Sequence, residues 1–82
     1  MKIRVLFFAQ LKDMFGAGEK DFEISEGTDV KAFAQKLLSQ EADKKALARL
    51  PFLYAVNEEF VSEEVLLRDG DRLALLPPVA GG

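Results

Sequence analysis

The sequence predicts an α+β fold, a mixed sheet of four or five strands packed on one main helix. One apolar stripe carries the helix: Val30, Phe33, Ala34, Leu37 and Leu38 fall at i, i+3, i+4, i+7 and i+8. Short runs with strand chemistry carry the sheet, and Gly, Asn, Asp or Pro separates each from the next. Size does the rest. With 82 residues, 49% of them hydrophobic and seven of them Phe, the chain can build one small core and no more.

The first strand is predicted over Lys2 to Phe8, with Ile3, Val5 and Phe7 on one face and Arg4, Leu6 and Phe8 on the other. Leu11, Met14 and Phe15 then suit a short helix, and Gly16 is well placed to stop it. Residues 20–24 alternate polar and apolar, the pattern of a half-buried strand. Glu26-Gly27 turns the chain, and Thr28 is the expected cap of the main helix over 28–39, with Asp29 in its first turn. A weaker helix is expected at 41–49, ended by Pro51. Leu53 to Val56 reads as a strand, Asn57-Glu58 as a turn and Phe60-Val61 as a brief return strand. Asp69-Gly70-Asp71 turns the chain into the last strand, Arg72 to Leu76. Pro77-Pro78 cannot donate to a ladder, so regular structure should stop there. The domain is expected to occupy 1–76, with 77–82 as a flexible tail.

Composition excludes much chemistry. Cys and His are both absent, so the chain can form no disulfide framework, thiolate nucleophile, imidazole base or zinc finger. No metal site or bound cofactor is expected. Nothing marks the chain for an oxidising compartment, and a cytoplasmic location is the expectation. Eleven Lys and Arg against fourteen Asp and Glu leave a charge of -3, too acidic for a general nucleic-acid binder. Val5-Leu6-Phe7-Phe8-Ala9 is too short to cross a membrane or to serve as a signal core.

The sequence closes on Pro77-Pro78-Val79-Ala80-Gly81-Gly82. Fully extended, this segment reaches about 20 Å, enough to enter a deep partner site. Gly81 lets the backbone thread a narrow channel without a Cβ clash, and Gly82 leaves its carboxylate sterically open. A carboxylate is a poor electrophile, but its adenylate has a good leaving group and accepts sulfur or an amine. A chain without Cys or His suits the role of group carrier better than that of acid, base or nucleophile.

These residues carry a resemblance. With Val5-Leu6-Phe7-Phe8-Ala9-Gln10, Ala55-Val56-Asn57, Val61-Ser62 and Asp69-Gly70-Asp71 through Gly82, the sequence resembles the ubiquitin-like β-grasp sulfur carriers, among them the small subunits of molybdopterin synthase. Pro77-Pro78 before Gly81-Gly82 is the most discriminating piece, and residues 16–53 match in pattern only. The resemblance implies first and last strands adjacent and parallel at the sheet centre. It implies that an E1-like enzyme adenylates the Gly82 carboxylate with ATP, and that a sulfur donor protein converts it to a thiocarboxylate. The thiocarboxylate then sulfurates cyclic pyranopterin monophosphate in the large synthase subunit, in a heterotetramer with two of each subunit. The chain itself is then a non-catalytic subunit of a transferase. A thiamine-pathway carrier and a ubiquitin-like protein modifier begin with the same adenylate; chain length and Pro77-Pro78 favour the molybdopterin reading over the thiamine one.

Strand alternation supplies the expected partner surface. Phe8 and Leu76 should be exposed in the free chain, joined by Leu6, Ala74 and Phe60, beside the exit of Pro77, Pro78, Val79 and Ala80. Lys12 is a candidate for pairing with an acidic rim. Glu58, Glu59, Glu63 and Glu64 fit no calcium loop and read as a solvated edge. Lys31, Lys36, Lys44, Lys45 and Arg49 lack an aromatic platform for RNA and read as a solvated helix face. Phe22, Phe33 and Phe52 are assigned to the core.

Overall fold

The computed structural model describes residues 1–39 and 51–77. Among them the elements run β1 (Lys2–Phe7), α1 (Gln10–Phe15), β2 (Glu19–Glu23), α2 (Val30–Ser39), β3 (Leu53–Val56), β4 (Glu59–Val61) and β5 (Arg72–Leu76). The helix expected at 41–49 and the tail from Pro78 onward lie outside the described residues. The five strands form one sheet in the order β2-β1-β5-β3-β4. β1 and β5 are parallel, and every other neighbouring pair is antiparallel. This is the β-grasp arrangement.

Its inner face follows from strand alternation. Ile3, Val5 and Phe7 of β1 and Leu73 and Leu75 of β5 point toward α2 and are buried. The whole predicted stripe of α2, from Val30 to Leu38, meets them. Phe33 and Phe52 are buried as assigned, and half-buried Phe22 sets its ring edge-on to Phe33 at 5.5 Å. Leu11 and Leu67 complete this core from α1 and from the loop before β5.

The cap expected at Thr28 is instead Asp29. Its Oδ1 accepts the Ala32 N–H at 2.7 Å, while the Thr28 hydroxyl donates to the Ser25 carbonyl at 2.7 Å. A carboxylate makes the stronger bond at a helix N-terminus because it carries full charge against the helix dipole. The helix therefore starts at Val30, two residues later than the sequence reading places it.

Two tight turns set the ends of the central strands. Asn57 and Glu58 both have positive φ, 53° and 72°, as a two-residue hairpin loop between β3 and β4 requires. The Asn57 side chain then ties this hairpin to β5: its Nδ2 donates to Asp71 at 3.0 Å and its Oδ1 accepts the Arg72 N–H at 3.1 Å. At the other end, Ala9 sits at φ 52°, ψ -131°, and the Leu11 N–H donates to the Phe8 carbonyl at 3.1 Å. That is a type II′ turn with Ala9 where glycine is the default. The turn lets β1 feed straight into α1, whose Phe15 stacks on Phe7 with centroids 4.4 Å apart.

Ala9 therefore carries backbone strain that a glycine would relieve. Ala9→Gly should raise folding stability by about 1 kcal/mol, the relieved strain exceeding the added chain entropy. Urea unfolding checks this, and a loss of stability would contradict the positive φ.

Candidate functional site

The outward face of the sheet is assembled by register. Leu6 pairs with Ala74, Ala74 with Ala55, and Ala55 with Phe60, which makes one row across β1, β5, β3 and β4. In the next row Leu76 pairs with Leu53, and Phe8 lies one step past the Phe7–Leu75 pair. Two small residues thus form a floor, with large apolar side chains around it. Phe8 is 44% exposed, Phe60 73% and Leu53 59%. Exposed apolar surface gathered in this way marks a docking surface more often than a free one.

Two expectations need correction. Ala74 points outward as predicted, yet it is buried, because Leu6 and Ala55 flank its single methyl in register. Leu76 is half-buried rather than exposed, since Leu53 stands opposite it on β3. Leu53 itself is missing from the expected surface. Its signal was present in the alternation of Leu53 with Ala55, which puts both on the outward face.

Phe8 is uncovered because α1 turns inward. Leu11 is fully buried and Phe15 is held on Phe7, so the helix caps the inner side of β1 and leaves the Phe8 ring outside. Lys12 is exposed on α1, its Cε 3.7 Å from where a Gly18 Cβ would stand. Among the described residues, no ion pair engages Lys12.

The strand directions bring the surface and the tail together. Because β1 and β5 run parallel, Phe8 and Leu76 emerge at the same end of the sheet. β5 ends at Leu76, and Pro77 is the last described residue, half-buried at that exit. Pro78, Val79, Ala80, Gly81 and Gly82 lie outside the described residues.

Charged groups lie away from the apolar floor. Arg4 Nε donates to Asp21 at 3.0 Å, and Arg4 Nη1 lies 3.6 Å from Glu19. The Arg4 hydrogen bond holds the Asp21 carboxyl below its ordinary range and raises Arg4 in turn. Burial pushes the Tyr54 hydroxyl up, with Glu63 adding to the shift. Glu58, Glu59, Glu63 and Glu64 are all exposed, and Glu63 lies 3.9 Å from Lys31. Among the described residues no three His, Cys, Asp or Glu side chains converge as metal ligands. No helix among them is long and apolar enough to cross a membrane. A hollow of about 480 Å³ between β2 and α2, lined in part by Phe22, Ile24, Phe33 and Lys36, lies on the helix side of the sheet.

Comparison with known proteins follows the same outline. The model of the ThiS family matches residues 5–82. The molybdopterin synthase sulfur carrier subunit of Escherichia coli (strain K12) is 40% identical over 82 residues, spanning 98% of this chain and 99% of its own. A putative molybdopterin converting factor, subunit 1, from Pyrococcus furiosus is similar in structure with a TM-score of 0.78 at 25% identity, over 96% of this chain and 99% of that one. A chain in the protein–protein complex of subunits 1 and 2 of molybdopterin-converting factor from Helicobacter pylori 26695 aligns over 100% of both chains, with a TM-score of 0.66 and 26% identity.

The exposure of Phe8 can be checked on the free chain. Phe8→Ala should cost the fold less than about 1 kcal/mol in urea unfolding, as surface changes do. A loss of about 3 kcal/mol or more would assign the ring to the core.

Proposed function

The chain belongs to the ThiS family, and from that premise we propose that it is the sulfur carrier subunit of a molybdopterin synthase, with the Gly82 carboxylate as the atom group that carries sulfur. The observation that supports this most is the direction of β5, which delivers Pro77 to the edge of the outward apolar face. A partner seated on Leu6, Phe8, Leu53, Phe60 and Leu76 is then within reach of the tail. The Escherichia coli relative and the Helicobacter pylori complex support a large synthase subunit as that partner.

The chemistry starts from an inert group. On an E1-like activating enzyme, a Gly82 carboxylate oxygen attacks the α-phosphorus of ATP, and pyrophosphate leaves. Hydrosulfide released by a donor protein attacks the acyl carbon and loses its proton to solvent, and AMP departs with the former carboxylate oxygen. The thiocarboxylate that remains enters the large subunit along Pro78, Val79, Ala80 and Gly81. There its sulfur attacks an electrophilic carbon of cyclic pyranopterin monophosphate, and a carbon–oxygen bond at that carbon breaks, the oxygen taking up a proton as it leaves. Water cuts the acyl–sulfur bond, restoring the Gly82 carboxylate and leaving sulfur for the dithiolene. The β-grasp domain contributes no acid or base to these steps. It binds, aims and withdraws the tail. The assembly we assign is two small and two large subunits, in the cytoplasm, with the chemistry of a transferase.

Tail length is the sensitive quantity. Deleting Gly82 moves the carboxylate back by about 3.5 Å, and a misplacement of roughly 1 Å can already cost a hundredfold in rate. Reconstituted conversion of the pyranopterin precursor to molybdopterin should therefore be abolished by this deletion. Amidation of the Gly82 carboxylate at full length should block it as completely. Binding to the large subunit should survive both changes. Normal product from either chain, with activating enzyme, ATP and sulfur source present, would contradict the carrier role.

A further inference from the structure

Beside the apolar floor the outward face carries two arginines. Arg4 and Arg72 are register neighbours on β1 and β5, at the middle of the sheet, and share the face of Leu6 and Ala74. Like charges directly opposite one another on paired strands oppose the pairing. Arg4 turns away toward β2, where Asp21 and Glu19 hold it. Arg72 has no such outlet. Among the described residues no carboxylate reaches its guanidinium. Asp71, next to it in the chain, uses its two oxygens on the Asn57 amide and the Arg68 N–H. In a chain with fourteen acids and eleven bases, an Arg72 with no carboxylate among the described residues is not a consequence of scarce carboxylates.

The space for a carboxylate is present. A shallow hollow of about 330 Å³, open to solvent, lies among Lys2, Arg4, Asp21, Asp69, Gly70 and Arg72. We propose that Arg72 receives an Asp or Glu carboxylate of the large subunit when that protein covers the outward face, an inference that rests on the docking role argued above. The carboxylate enters beside Arg4, pairs with the Arg72 guanidinium and offsets the like charges of these register neighbours. Apolar contact holds two proteins together but says little about their relative rotation. A charge pair fixes that rotation. On β5 the anchor stands at the opposite end from the tail, with Ala74 and Leu76 between them. Arg72 and Phe8 thus pin the face at two separated points, and the direction in which Gly82 points is set.

Calorimetric titration of the large subunit with the full chain tests this. In about 50 mM salt, Arg72→Gln should raise Kd about five- to tenfold and Arg72→Glu further, with the gap narrowing in about 500 mM salt as screening weakens the pair. Arg68→Gln, at another exposed arginine that lies off the sheet, should bind as the unsubstituted chain does. Arg72→Gln should melt at the same temperature or higher, because one of two like charges opposite in register has gone. Unchanged Kd for both Arg72 variants, while Phe8→Ala still weakens binding, would overturn the carboxylate contact and leave the docking face standing. Unchanged Kd for Phe8→Ala as well, or no binding by the unsubstituted chain, would overturn both. A melting temperature that falls in step with affinity would make Arg72 a structural residue and overturn the inference.

Discussion

The parallel pairing of β1 with β5 is the constraint on which the rest of the molecule depends. It joins the first strand of the chain to the last, through Val5–Leu73 and Phe7–Leu75 on the inside and Leu6–Ala74 on the outside. The inside pairs are the buried centre against which α2 lays its stripe. The outside pair begins the apolar row that continues through Ala55 to Phe60. Because the strands run the same way, the end of β1 and the end of β5 share one edge, so Phe8 and Pro77 come out together. An antiparallel pairing of the same two strands would keep a core but send the tail off the opposite end. Function here follows from strand direction.

Much of this was legible in the sequence because period and burial agree. The stripe from Val30 to Leu38, the alternation of Ile3, Val5 and Phe7, and the bounds of β3 and β5 are each set by residues that bury one face, so pattern and packing point the same way. Gly16 takes the left-handed conformation expected of a helix stop. Competition between neighbours was less legible. Thr28 and Asp29 both have cap chemistry, and the sequence alone does not show that the Thr28 hydroxyl is taken up by the Ser25 carbonyl, which leaves Asp29 to cap. Exposure on the outward face was also hidden, because it depends on the residue across the ladder. Ala74 and Leu76 are screened by Ala55 and Leu53, and strand pairing cannot be read from one strand alone. The Arg4–Arg72 neighbourhood required the register of β1 on β5 for the same reason. The resemblance in Pro77-Pro78 and Gly81-Gly82 rests on the residues themselves, and no strand pairing is needed to read it.

The two faces of the sheet do different work. The inner face is filled by branched and aromatic side chains and holds the domain together. The outer face has alanines at its centre, which leave room for the side chains of another protein, and its larger apolar residues stand exposed around them. Ala9 adds a local cost that the fold accepts. A glycine there would relax the turn and give the chain more freedom just after Phe8, whereas the alanine keeps Phe8 fixed between the buried Phe7 and the buried Leu11. A sheet whose last strand ends beside the outward apolar face suits the carrier role proposed for the chain.

The proposed carrier role requires sulfur on the Gly82 carboxylate. Mass spectrometry of the intact chain, followed by fragmentation from its C-terminus, reads this directly after incubation with activating enzyme, ATP and sulfur donor. One oxygen replaced by one sulfur, confined to the fragment that contains Gly82, is the expected result. An unchanged mass, sulfur located on any other residue, or Gly82 found instead in isopeptide linkage to lysines of other proteins would contradict it.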